Sequence, residues 1–270
     1  MAFSAKLAAA RLPGSEIAFA RFVVMLIPLL LVPGLRRRAL LFYRRDLLFY
    51  RGLFGGLAVL LYFVAIAHIP VGLATLLNYT SPIWSVLFAS LFLGERANPR
   101  LFLPLTAALI GMALAAGAGG SAGHRFHFTI WELAAIGSSI LAGAALAALR
   151  GARRTESSWA IYASFTLFGL LATGPFALAS FKMPSALDVV LLLCVGGGAV
   201  AGQLLMTFAY RWVTNLQGGI MMQLTVAITM GLGALFLGER LTALQLVGAV
   251  LTLGGVIGTF FVRPSRRAVT

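Results

Sequence analysis

The chain has 270 residues, 60% of them hydrophobic and 10% charged, with a mean hydropathy of +0.97. Soluble domains carry about a quarter charged residues, so the composition excludes a water-soluble globular protein and predicts an all-α integral membrane protein. The net charge of +14 comes from arginines at the ends of apolar runs rather than from a basic domain, which predicts contact with anionic lipid headgroups and no binding of nucleic acid.

Residues 1–10 form an apolar stub too short to cross a bilayer. The stub and the residues after it lack the basic start and long apolar centre of a signal peptide. Beyond it, apolar runs of about 20 residues recur, the length that spans a hydrocarbon core of about 30 Å as a helix. They cover 16–35, 47–66, 71–93, 101–118, 130–149, 159–181, 187–212, 216–237 and 241–262, which gives nine full spans.

Two of these runs close on the same hexapeptide, Leu-Phe-Leu-Gly-Glu-Arg, at 91–96 and at 235–240. The offset of 144 residues also matches Ile17 to Ile161, Gly52 to Gly196, Ala65 to Ala209 and Gly111 to Gly255, so the chain is a duplication. By the same offset the run at 130–149 has a partner that ends in the N-terminal stub. The first copy therefore reads either as five spans whose first begins upstream of Met1, or as four spans and a stub. Numbered in the ten-span form, the visible spans are 2 to 10.

Arginines and lysines stay on the cytoplasmic side. Arg36, Arg37, Arg38, Arg44, Arg45 and Arg51 fall between spans 2 and 3, Arg96 and Arg100 between 4 and 5, and Arg150, Arg153 and Arg154 between 6 and 7. With Arg211, Arg263, Arg266 and Arg267 on the same side, the C-terminus is predicted to be cytoplasmic; Arg21 and Lys182 are among the few assigned to the opposite face. Five spans per copy is an odd number, so the copies are predicted to insert upside down relative to each other, an inverted repeat.

The acids Glu16, Asp46, Glu95, Glu132, Glu156, Asp188 and Glu239 all lie in loops or in the first or last turns of spans. A membrane enzyme needs acids, histidines or metal ligands clustered at one face, so no catalytic residue, metal or cofactor is predicted. His124 and His127 read as residues of a solvated loop, and Cys194, the single cysteine, as a packing residue inside an apolar span.

Uncharged polarity concentrates in span 4, where Asn78-Tyr79-Thr80-Ser81-Pro82 interrupts the apolar run. Pro82 cannot donate to the carbonyl of Asn78, which predicts a helix kink with freed backbone acceptors. The matching span 9 carries Gln217, Gly218, Gly219, Gln223, Thr225 and Thr229, with Val226 in place of the proline; Tyr62 and Gln203 add polar groups in spans 3 and 8. Each hydroxyl or amide alone reads as a hydrogen bond between helices; as a set they outline a pathway.

The Leu-Gly-Glu closures at Gly94-Glu95 and Gly238-Glu239, the glycine-bearing spans that follow with Gly111 and Gly255, the stretch Ile17-Ala18-Phe19-Ala20-Arg21-Phe22, and Arg51-Gly52-Leu53 resemble the EamA-type members of the drug/metabolite transporter superfamily. The resemblance implies ten spans and movement of a small metabolite by alternating access. It divides the chain into a first repeat over 1–118, a loop over 119–129, a second repeat over 130–262 and a basic tail over 263–270. It also implies a cavity between the copies, where Tyr62, Asn78, Tyr79, Gln203, Gln223 and Thr225 are the expected lining.

A lining of uncharged groups suits a neutral or zwitterionic solute such as an amino acid, because a charged one would want a buried partner. The expected partners are that small molecule and the lipid bilayer, with a homodimer left open. Rival readings are a lipid-linked solute flippase, a small channel and a membrane scaffold without transport. The arginine-rich composition predicts a bacterial inner (plasma) membrane.

Overall fold

Polar residues mark where the helices begin. Thr129 and Glu132 form a capping box at the start of one helix, the Thr129 N–H donating to Glu132 Oε2 at 3.0 Å. Ser185 and Asp188 do the same at another, the Ser185 N–H donating to Asp188 Oδ2 at 3.0 Å, and Thr242 with Gln245 at a third, the Thr242 N–H donating to Gln245 Oε1 at 2.9 Å. Each device satisfies amides that the first helical turn leaves without a partner. The acids predicted at span ends have this local work.

A computed structural model describes residues 1–31, 34, 43–93, 100, 102–117, 129–153, 155–209, 225, 228–238 and 242–261. The elements among them are all helices: α1 (Ala2–Ala8), α2 (Gly14–Leu31), α3 (Arg45–His68), α4 (Val71–Asn78), α5 (Ser81–Leu93), α6 (Phe102–Gly117), α7 (Ile130–Ala152), α8 (Ser158–Ala179), α9 (Ala186–Ala209) and α10 (Ala243–Phe261). Residues 228–236 are also helical. Six stretches are long and apolar enough to cross a membrane: Gly14–Leu31, Arg45–His68, Val71–Phe92, Ile130–Ala152, Ser158–Ala179 and Ala186–Leu205. They fall on predicted spans 2, 3, 4, 6, 7 and 8. Helices α6, of 16 residues, and α10, of 19, fall on predicted spans 5 and 10, and predicted span 9 lies largely outside the described residues.

Large side chains are buried where helices meet, with Phe63, Ile66, Leu73 and Leu77 in one cluster and Phe22, Met25, Tyr162 and Phe165 in another. The outside is apolar too: Leu31, Leu171, Leu178, Val190, Leu193 and Leu205 are exposed, which is the surface a hydrocarbon solvent selects. Cys194 stands on this outer surface of α9 and is exposed. The expectation that it packs inside is corrected; on a helix apolar all round, sequence does not say which side turns inward.

Small residues set the contacts. Gly52 on α3 faces Phe168 Cβ of α8, and the repeat-equivalent Gly196 on α9 faces Val24 Cβ of α2, where Val24 and Phe168 are themselves 144 residues apart. Gly143 on α7 lets the start of α5 approach, its missing Cβ pointing at Trp84 Cβ and Ser85 N. Helices α3 and α7 run antiparallel, from Leu48 beside Ala152 to the ring of His68 stacked on Trp131 with centroids 3.5 Å apart. Helices α6 and α10 also pack closely, through Gly111 and Gly255.

Candidate functional site: a broken span against a serine pair

Span 4 is two helices, not one. Helix α4 ends at Asn78, Tyr79 takes φ −77° and ψ 7°, and α5 starts at Ser81. The expected kink at Pro82 is therefore a break at Tyr79-Thr80, and Pro82 lies in the first turn of α5. At that place the ring is tolerated because the amide it lacks has no helical partner to lose.

The break is faced by Ser138 and Ser139 of α7. Asn78 Nδ2 donates to Ser138 Oγ at 2.6 Å, and Ser138 Oγ donates to the Ala58 carbonyl of α3 at 2.6 Å. Thr80 Oγ1 donates to the Leu77 carbonyl at 2.7 Å and lies 2.9 Å from Ser139 Oγ. A hydroxyl thus closes part of the turn that the helix leaves open. Ser138, Ser139 and Thr80 are fully buried, whereas Asn78 and Tyr79 are half-buried.

One turn away, Tyr62 donates to Thr75 Oγ1 at 2.9 Å, and Thr75 donates to the Val71 carbonyl at 2.6 Å. The Tyr79 and Thr225 side chains are close neighbours. The structure therefore brings four of the expected pathway residues to one region: Tyr62, Asn78, Tyr79 and Thr225. Gln203 is half-buried on α9, and Gln223 lies outside the described residues. Gly94, Glu95 and Glu239 of the closing motifs also lie outside them; Gly238 is described and adopts φ 64°, the left-handed conformation with which glycine ends a helix.

Two arginines contradict their expected places. Arg21 and Arg51, assigned by sequence to opposite membrane faces, are each only 6% exposed. Their heads meet at one ring: the guanidinium carbon of Arg21 is 5.6 Å from the centroid of Phe165 and that of Arg51 is 4.3 Å from it, with Arg21 also 5.4 Å from Phe22. The Nε atoms of both are buried without a hydrogen-bond partner. The polar pathway was read from amides and hydroxyls, while arginines near a span start were counted as loop charge; Gly55, one turn after Arg51, was the available signal, since a Cβ there would stand 2.6 Å from Arg51 Nη1.

The chain's similarities agree with a membrane-transport architecture. A profile of the EamA-like transporter family matches residues 1–117 and 129–261. The Pseudomonas aeruginosa (strain UCBPP-PA14) protein named pseudopaline exporter CntI is 29% identical over 250 residues, which cover 91% of this chain and 86% of that one. A Helicobacter pylori (strain J99) protein named as an uncharacterized transporter is 26% identical over 215 residues, 76% of this chain and 70% of that one. A protein of known crystal structure with 20% identity superposes with a TM-score of 0.61, covering 95% of this chain and 92% of its own, and shows the fold alone.

Proposed function

The chain belongs to the EamA-like transporter family, and on that premise we propose that it exports a small metabolite, an amino acid or related solute, across a bacterial inner membrane by alternating access. The observation that carries the proposal is the break at Tyr79-Thr80. An interrupted membrane helix leaves backbone carbonyls unpaired, and irregular backbone at membrane depth is tolerated where it lines a cavity or is buried in protein. Here the interruption gathers Asn78, Tyr79, Thr80, Ser138 and Thr225, groups able to exchange hydrogen bonds with a passing solute.

Export, rather than uptake, is proposed from the likeness to the Pseudomonas exporter. The inverted five-plus-five arrangement is supported by the reciprocal contacts of Gly111 with Gly255's helix and of Gly52 and Gly196 with Phe168 and Val24. Reciprocity of this kind is what a two-fold relation between copies produces. The concentration of arginines in alternate loops supports a cytoplasmic C-terminus.

The test is accumulation of labelled amino acids in cells that carry the chain or its Asn78→Ala and Gln223→Ala variants. Expression of the parent lowers internal label for at least one solute, and the two variants restore it. Equal accumulation with parent and variants would remove the assignment of these residues to the pathway.

A further inference from the structure

Two cations sharing one aromatic ring inside a membrane protein need an explanation. An intramembrane arginine is costly unless it meets an anion, water or backbone acceptors. The ring supplies part of what Arg21 and Arg51 need through cation–π attraction. It does not cancel their mutual repulsion or occupy the buried Nε donors.

The acids among the described residues are committed elsewhere. Glu16 accepts from the Lys182 amide at 3.1 Å, Asp46 pairs with Arg44 at 3.0 Å, Glu132 and Asp188 cap helices, and Glu156 accepts from the Arg44 amide. Among the described residues, neither Arg21 nor Arg51 has a carboxylate within ion-pair distance.

Depth follows from the duplication. Phe165 is the repeat-equivalent of Arg21, 144 residues on. Two equivalent positions that touch lie beside the axis relating the copies, and in an inverted repeat that axis runs in the membrane plane, at the midplane. Tyr62 and Tyr79 lie near the Arg21 head, so this arginine stands on the side of the broken span.

Resting on the transport reading above, we infer that Arg21 and Arg51, held over Phe165, form the site that binds a carboxylate of the transported solute. A guanidinium offers paired N–H donors to a carboxylate, and the buried setting makes such charge-assisted bonds strong. Gly55 keeps the place of the Arg51 head open.

The test is thermal unfolding of the purified full chain in detergent with succinate, with succinamide as its uncharged counterpart, and with potassium chloride at equal ionic strength. Succinate raises the midpoint by several degrees in the parent, as a ligand that binds only the folded state must, while succinamide and potassium chloride do not. Arg21→Gln and Arg51→Gln abolish the shift. Gly55→Ala, which keeps both charges and displaces the Arg51 head, raises the half-saturating succinate concentration about tenfold. Equal shifts with succinate and succinamide, absence of any succinate shift in the parent, or full succinate response in Gly55→Ala and both glutamine variants would overturn the assignment. Binding is read without transport, so a succinate shift in a protein that moves no solute would keep the arginine site and refute the exporter.

Discussion

Gly111 of α6 and Gly255 of α10 mirror each other. A Cβ built on Gly111 would stand 2.4 Å from Thr252 N and 2.6 Å from the Gly248 carbonyl oxygen, and one built on Gly255 would stand 2.5 Å from Ala108 N and 2.6 Å from the Pro104 carbonyl oxygen. Gly248 and Thr252 are the repeat-equivalents of Pro104 and Ala108. Each glycine meets the part of the other helix that precedes its partner, so the two helices run antiparallel across a self-complementary contact.

Alanine at either glycine must therefore push backbone against backbone. Gly111→Ala and Gly255→Ala are each expected to destabilise the chain by about 1–3 kcal/mol, the usual cost of overpacking, and by similar amounts because the contacts are equivalent. Thermal unfolding in detergent checks both. A midpoint within a degree of the parent in either variant would contradict the contact.

The Asn78–Ser138–Ala58 chain of hydrogen bonds separates structure from transport. Ser138→Ala removes a buried link between α7 and α3 and is expected to cost about 0.6–1.7 kcal/mol, the range for hydrogen bonds between membrane helices. Asn78→Ala is expected to cost less stability, because the side chain is half-buried, and to lower solute flux severalfold. Unfolding midpoints and efflux rates measured on the same two preparations distinguish the roles.

The helix caps make no contact with the Asn78 or Thr80 side chains among the described hydrogen bonds, and they supply a control. Thr129→Ala and Ser157→Ala each remove a side-chain acceptor at a helix start and are expected to lose about 1 kcal/mol with little change in flux. Flux that falls as far as it does with Asn78→Ala would show that efflux follows stability and not the polar region.

Every described acid ends a helix or ties a loop, so proton exchange at mid-membrane has no carboxylate to use among the described residues. Export is expected to follow the substrate gradient and to be insensitive to a protonophore. His68, at the end of α3, is hydrogen-bonded to the Val64 carbonyl at 2.8 Å and stacked on Trp131. Efflux that collapses on addition of an uncoupler would contradict this expectation.

Much of the fold was legible because its signals are long and repeated. Apolar length located the spans that the helices occupy, and the capping acids were readable as span ends because a charge is cheap only there. Which side of an evenly apolar helix turns inward was not legible, as Cys194 shows. Neither was the burial of Arg21 and Arg51: arginine near a span boundary is ordinarily a snorkelling or loop residue, and only the pairing of α2, α3 and α8 around Phe165 buries them. At the broken span the sequence named Asn78 and Tyr79 through their neighbour Pro82. It was silent on Ser138 and Ser139, because two serines in a small-residue helix look the same whether they face lipid or a partner.

Counterflow in proteoliposomes tests the central claim most directly. Vesicles loaded with an unlabelled amino acid and diluted into a trace of labelled solute are expected to accumulate label transiently above equilibrium, saturably, because an alternating-access carrier exchanges faster than it returns empty. Label that enters linearly without overshoot, or no entry across the amino-acid and metabolite panel, would contradict a carrier and favour a channel, a flippase or a scaffold.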